Sequence, residues 1–264
     1  MKMFAIFGNP VAHSKSPLMH NLAFRAFGYD ACYGRYRLEE GSTLKEKFFE
    51  LSLSGINITV PHKEHAYRAC DHLDPFAKKV GAVNTIVERG GALMGFNTDA
   101  PGFLKVLREF GPNRRVLFLG AGGTALSSAA ILRDNGYDVS IANRSAPRLQ
   151  QFAKEGFETL LYDEMEGTED YEIVVNMTSA GLDDDSLPMD AERLEKILQR
   201  AEAAIDVIYG KKTPFISLAK SLGKTVKDGS EMLLYQGILA FDIFTEGRFS
   251  FDEIERVMRR SFIL

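Results

Sequence analysis

Residues 114–125, Arg-Arg-Val-Leu-Phe-Leu-Gly-Ala-Gly-Gly-Thr-Ala, constrain this chain more than any other stretch. An apolar run short enough for one strand enters a glycine turn, and an alanine-rich segment of helical character follows. Gly120 permits the tight turn, Gly122 lets the backbone approach a ligand, and small Ala125 lets the helix pack on the strand. The helix N-terminus, reached through Ala121, Gly123 and Thr124, offers unpaired N–H donors to an anion, so the unit reads as a cradle for a dinucleotide pyrophosphate. The next strand, Asp138 to Asn143, runs into Asn143-Arg144-Ser145, with Arg148 one turn further on. A carboxylate there would take a ribose 2′-hydroxyl, whereas a guanidinium suits a 2′-phosphate, so the expected cofactor is NADP. Asp138 starts its strand and lies roughly one strand length, about 15 Å, from where a ribose-binding carboxylate must sit. The competing reading makes Arg144 and Arg148 a pair of solvated helix charges.

A chain of 264 residues with 45% hydrophobic content can bury a large core, and its length suggests two domains. The 32 basic and 36 acidic residues leave a formal charge of −4, which gives no electrostatic case for nucleic acid or an anionic membrane as partner. Cys32 and Cys70 stand far apart outside any CxxC pattern and read as ordinary thiols in a reducing compartment. The five apolar residues Met3 to Phe7 are too few for a signal-peptide core, and no run approaches the roughly 20 residues that cross a bilayer; the expected location is cytoplasmic. His62 and His65 lack a third ligand, so no metal is expected.

Apolar runs at 3–7, 31–37 and 55–60 alternate with helix-like stretches at 17–27, 43–53 and 61–70, the rhythm of a parallel sheet covered by helices. Residues 82–87 and 92–96 flank Arg89-Gly90-Gly91 and read as a hairpin. A helix over 99–110 leads to strands near 115–119, 138–142, 172–176, 203–207 and 224–227, a doubly wound, Rossmann-type unit. Two final helices, 230–245 and 251–262, have no strand after them and are expected to return to the first domain. The fold expected is therefore α/β in two domains: residues 1–101 with 231–264 for substrate, and 102–230 for NADP, with a cleft between them. Asp183-Asp184-Asp185-Ser186 reads as a solvated loop.

Polar residues cluster at several element ends. Ser14 and Ser16 bracket Lys15 just before a helix beginning at Pro17, where Ser16 reads as an N-cap or as part of a carboxylate site at the helix N-terminus. Asn57 and Thr59 fall on one side of a strand, which suggests a wet face. Lys63 falls in the first turn of the next helix, where a cation is electrostatically misplaced and needs another reason to be there. Asp99 reads either as a helix cap or as the partner of Lys63, and Asn84 as a turn amide or a site residue.

Together the strings Ser14-Lys-Ser16-Pro17, Asn57-Ile-Thr59-Val-Pro-His-Lys63, Gly81-Ala-Val-Asn84-Thr85, Asn97-Thr-Asp99 and Gly120-Ala-Gly122-Gly123 resemble the shikimate dehydrogenase family over nearly the whole chain. The resemblance implies NADPH-dependent, reversible reduction of 3-dehydroshikimate to shikimate in aromatic amino-acid biosynthesis. It implies Lys63 and Asp99 as the catalytic pair, Ser14 and Ser16 on the substrate carboxylate, and Thr59, Asn84 and Gln236 on ring hydroxyls or the carboxylate. Asn143, Arg144, Ser145 and Arg148 match the family's NADP-selective cluster. Segments Asn176-Met-Thr178-Ser-Ala-Gly181 and Asp206-Val-Ile208-Tyr209 resemble the family's strand-end segments around the nicotinamide and the cleft, and Lys227-Asp-Gly229-Ser-Glu-Met232-Leu-Leu-Tyr-Gln236 resembles its loop and helix that return to the catalytic domain. Tyr209 reads equally as a substrate contact or a core residue, and Met232 as core packing or a nicotinamide neighbour. Gly210-Lys211 replaces the family's common Asn-Pro, and no tryptophan is present. Rival readings are an NAD-using quinate/shikimate dehydrogenase, a non-catalytic NADP-binding sensor and a scaffold; a homodimer is left open.

Overall fold

A computed structural model describes residues 1–263. The chain divides into two compact units, residues 1–102 with the segment from Leu234 onward, and residues 103–233.

In the first unit, strands β1 (Lys2–Gly8), β2 (Ala31–Arg37) and β3 (Gly55–Ile58) alternate with helices α1 (Ser16–Ala26) and α2 (Leu44–Glu50). Then come α3 (Lys63–Ala69), β4 (His72–Leu73), α4 (Pro75–Val80), the hairpin β5 (Thr85–Arg89) and β6 (Ala92–Phe96), and α5 (Asp99–Arg108). The sheet order is β2-β1-β3-β5-β6-β4. It is parallel where helices connect the strands, but the hairpin inserts antiparallel β3/β5 and β5/β6 pairs, so the sheet is mixed rather than wholly parallel. Period-two alternation fills both faces: Phe4 and Ile6 of β1 join one core cluster, Ala5 and Phe7 the other. The late helix α10 (Ser230–Phe244) closes the unit, its Phe241 and Phe244 packing on Phe24 at 5.1 Å and Phe4 at 4.6 Å. A helix over Phe251–Met258 follows, capped by Ser250 and Glu253 in a reciprocal box. Short β4 and α4 escape the sequence reading, although Asp74, Pro75 and left-handed Gly81 carry ordinary helix start and stop signals.

The second unit is wholly parallel. Strands β7 (Arg115–Leu119), β8 (Asp138–Asn143), β9 (Glu158–Leu161), β10 (Ile173–Asn176), β11 (Ala203–Asp206) and β12 (Thr225–Lys227) lie in the order β12-β11-β10-β7-β8-β9. Helices α6 (Gly123–Asp134), α7 (Ala146–Lys154), α8 (Ala191–Arg200) and α9 (Pro214–Ser221) connect them. Strand order reverses between β7 and β10, which makes the carboxyl ends of those two strands a ligand crevice. Edge strand β9 is missed by sequence reading because only four residues pair and only with β8.

Candidate functional site

In the first unit the polar residues converge because of strand direction. β1 and β3 are parallel, and β6 runs the same way through two antiparallel pairings, so the loops after β1, β3 and β6 and the turn before β5 all lie at one sheet edge. Those segments carry Ser14 and Ser16, Thr59 and Lys63, Asp99, and Asn84 respectively.

Lys63 is the first residue of α3, and its Nζ meets Asp99 Oδ2 at 2.5 Å. The second carboxylate oxygen accepts from Asn84 Nδ2 at 2.8 Å. The capping reading of Asp99 gives way, because Asn97 Oδ1 accepts from the Ala100 N–H at 3.2 Å and does that work instead. Asn84 is likewise no ordinary turn amide. Its Oδ1 accepts from the Thr98 N–H at 2.7 Å and lies 3.1 Å from the Thr85 hydroxyl, which leaves its NH2 for Asp99. Behind it, Asn57 Nδ2 donates to Thr85 Oγ1 at 2.9 Å while its Oδ1 accepts from the Tyr33 hydroxyl at 2.6 Å. Asn57 is thus engaged inside the protein, whereas Thr59 lies beyond the end of β3 and is partly exposed. Tyr33, stacked flat on His20 at 4.4 Å, carried no sequence signal, since the strand that bears it is far from every motif in the chain. Thr85 and Thr98 lie within the family strings but carry no distinguishing signal of their own.

Ser16 is not the N-cap of α1. It occupies the first helical position after Lys15, and its backbone N–H donates to Ser14 Oγ at 3.2 Å. Both serines are buried, and exposed Arg35 fixes the segment by donating to the Ser14 carbonyl from Nη2 at 2.6 Å. Gln236 sits in α10, 8% exposed, where Gly102 allows close approach: a Cβ at Gly102 would lie 2.7 Å from the Gln236 nitrogen.

In the second unit, Gly120 takes φ +117°, and a Cβ there would lie 2.8 Å from Thr178 Cγ2. Gly122 N-caps α6 and Gly123 opens it, with Thr124 and Ala125 in the first turn. A Cβ on Gly122 or Gly123 would enter open space, the room a pyrophosphate needs. A cavity of about 620 Å³ takes in Gly120, Ala121, Gly122 and Thr178 on one side and Asn143, Arg144, Ser145 and Arg148 on the other. Asn143 Nδ2 is buried there without a partner, so an acceptor-rich ligand fits the wall. Asp138 begins β8 and pairs with Arg115 at 3.7 Å, at the far end of the strand from the cavity.

Thr178 is held by Asn176, whose Oδ1 accepts its N–H at 3.0 Å and its hydroxyl at 2.6 Å. Asn176 in turn donates to fully buried Asp206, which also accepts from Thr213 Oγ1 at 2.7 Å and the Ile208 N–H at 3.0 Å. Burial raises the Asp206 carboxyl above the usual range, partly offset by these hydrogen bonds. The Gly229 N–H reaches the Ile208 carbonyl at 3.0 Å. Tyr209 and Met232 are half-buried, and burial pushes the Tyr209 hydroxyl up. Ile208, Gly229, Tyr209 and Met232 do not line the cavity. Asp184 is exposed as expected, but its Oδ1 also closes the loop, accepting from the Gly181 and Ser186 N–H groups. Among the described residues no group of three or more His, Cys, Asp or Glu could hold a metal ion, and no helix is long and apolar enough to cross a membrane.

A doubly wound sheet with a donor-lined crevice at its switch point, carried on the same chain as a lysine–carboxylate pair, defines a dinucleotide-dependent α/β oxidoreductase. Comparison with known proteins narrows that class. Residues 6–86 match the shikimate dehydrogenase substrate-binding domain, and residues 106–208 match the shikimate/quinate 5-dehydrogenase domain. The NADP(+) shikimate dehydrogenase of Helicobacter hepaticus is 40% identical over 253 residues, 96% of this chain and 94% of that protein. Shikimate 5-dehydrogenase of Thermus thermophilus, solved with NADP(H) and shikimate, is 35% identical with TM-score 0.85, covering 99% of this chain and 100% of that one. The Aquifex aeolicus shikimate dehydrogenase structure gives TM-score 0.88 at 31% identity, covering 99% of this chain and 97% of that one. The chain belongs to the shikimate dehydrogenase family.

Proposed function

We propose that this chain catalyses the NADP-dependent interconversion of 3-dehydroshikimate and shikimate, the step its family performs in aromatic amino-acid biosynthesis. The observation that carries the reading is the Lys63–Asp99 contact of 2.5 Å, with Asp99 held on its other oxygen by Asn84. NADP, when bound, supplies or accepts the hydride. In the reducing direction Lys63 Nζ donates a proton to the ketone oxygen as alkoxide character develops, and takes it back in the reverse direction. Asp99 orients the ammonium, and Asn84 orients Asp99. Ser14 and Ser16 bind the substrate carboxylate, and Thr59, Asn84, Gln236 and Tyr209 contact the remaining polar groups. Asn57, buried and bonded to Tyr33 and Thr85, supports this site from behind.

For the cofactor, Gly120 to Ala125 hold the pyrophosphate, and Arg144, with Asn143, Ser145 and Arg148, takes the 2′-phosphate. Thr178, Ile208, Gly229 and Met232 serve the nicotinamide end. The domains proposed are residues 1–101 with 231–264 for substrate and 102–230 for NADP, acting in the cytoplasm. A homodimer is the proposed assembly, and sedimentation equilibrium tests it.

The test is nicotinamide absorbance on mixing the protein with shikimate or quinate, each with NADP or NAD. Turnover is expected with shikimate and NADP at the highest kcat/KM. A folded protein that binds NADP yet oxidises neither acid would sink the assignment.

A further inference from the structure

The cavity wall at the ends of β8 and β9 is rich in donors and short of acceptors. Asn143 ends β8, and its Oδ1 is taken by the Arg144 backbone N–H at 2.8 Å. That bond fixes the amide orientation and leaves Nδ2, buried and without a partner, as a donor. In the sheet register Asn143 lies opposite Leu161, the last residue of β9, so Tyr162 emerges at the same end of the sheet. The Tyr162 ring packs in the hydrophobic core, while its hydroxyl is also buried with no partner.

Both residues line the cavity beside Arg144, Ser145 and Arg148. Ser145 N-caps α7 without a side-chain hydrogen bond, so its hydroxyl is not spent on the helix. The cavity's carboxylate, Asp184, has its Oδ1 tied into the loop by Gly181 and Ser186. Buried polar groups in folded proteins are seldom left unpaired, and two on one cavity wall call for an acceptor from outside the chain. A phosphomonoester offers three strong acceptor oxygens and a charge drawn to the two arginines, whereas the edge of a neutral base offers fewer acceptors and no charge.

We propose that Tyr162 is a further cofactor-selectivity residue, its hydroxyl donating with the Asn143 amide to the 2′-phosphate of NADP. This rests on the placement of that phosphate against Arg144 proposed above. Burial pushes the Tyr162 hydroxyl up to about 12, with the Arg144 charge opposing, so it carries its proton at neutral pH and donates.

The experiment is calorimetric titration of wild type, Tyr162→Phe and Arg144→Gln with adenosine 2′,5′-bisphosphate and with AMP, with melting temperatures recorded alongside. Phenylalanine keeps the ring in the core and removes only an unpartnered hydroxyl, so the melting temperature should hold or rise. Tyr162→Phe should weaken bisphosphate binding on the order of tenfold and leave AMP unchanged, as expected for one hydrogen bond to a charged group. Unchanged bisphosphate affinity in Tyr162→Phe, or an equal loss for both ligands, overturns the proposal. If Arg144→Gln abolishes the preference for bisphosphate while Tyr162→Phe does not touch it, the proposal alone falls. If wild type itself shows no preference for bisphosphate over AMP, the 2′-phosphate placement falls with it.

Discussion

The two units place polar residues by the same rule, at one edge of a sheet, yet finish them in opposite ways. Around Lys63 the hydrogen-bonded set supplies donors and acceptors to itself: no buried side-chain nitrogen or oxygen of Asp99, Asn84, Thr98, Thr85, Asn57 or Tyr33 lacks a partner, and the unpartnered buried atoms nearby are ring nitrogens of His62 and His20. Around Arg144 the wall keeps buried donors at Asn143 and Tyr162 with no acceptor. A site that must hold a lysine and a carboxylate in one geometry is best assembled before substrate arrives, since hydrogen bonds made in advance cost nothing at the moment of reaction. A site that binds a multiply charged ligand gains by leaving donors for the ligand to satisfy. The second unit does build an internal network as well, from Thr213 through Asp206 and Asn176, which fixes the cavity-lining Thr178.

This contrast can be broken from either side. Lys63→Ala should produce the largest change, lowering kcat with shikimate by roughly 10³-fold or more. NADP affinity should stay the same, because the cavity is lined entirely by residues of the second unit; a comparable loss in NADP binding would show that the substitution acts through folding. Arg144→Gln should raise KM for NADP by about 20-fold while leaving KM for NAD within about twofold, as one charge-assisted contact predicts. A uniform rise for both cofactors would remove the distinction between the 2′-phosphate wall and the rest of the cavity.

The buried carboxylate of Asp206 supplies a pH test. Because its folded pKa is raised above 3.8, the folded state binds the extra proton, so its stability contribution is complete below about pH 3.8 and is lost as pH rises through the raised value. Asp206→Asn should flatten that part of the stability profile, measured by urea unfolding at several pH values. An unaltered slope would assign it to other groups. Smallest is Thr85→Val, which removes one of the donors to Asn84 Oδ1 while Thr98 N–H remains. We expect kcat to fall about threefold, with Thr85→Ser restoring it and no further loss when Thr85→Val is added to Asn84→Ala. Additive losses would make Thr85 a packing residue only.

Much of this was legible without coordinates. The glycine loop, Asn143-Arg144 at a strand end, the hairpin at Arg89-Gly90-Gly91 and the return of α10 to the first unit all follow from period, turn chemistry and motif order. Lys63 stood out because a cation at a helix start contradicts the local electrostatics, and such contradictions tend to mark functional positions. Local rules failed where two residues competed for one role. Ser16 looked like a cap, but Ser14 accepts the N–H, and Asp99 looked like a cap, but Asn97 serves Ala100.

The sequence by itself determined the alternation of elements, the dinucleotide loop, the basic character of the strand end after β8 and the presence of a lysine and an aspartate available for proton chemistry. Only the tertiary structure decided what each polar group is bonded to. It joined Tyr33 to Asn57 and Thr85, turned the Asn84 amide toward Asp99, and left the Tyr162 hydroxyl and Asn143 amide without partners on one wall. The reason is that periodicity and turn chemistry act over a few residues, whereas a side-chain hydrogen bond depends on distance and direction between residues brought together by sheet pairing. That pairing joins strands separated by tens of positions in the chain.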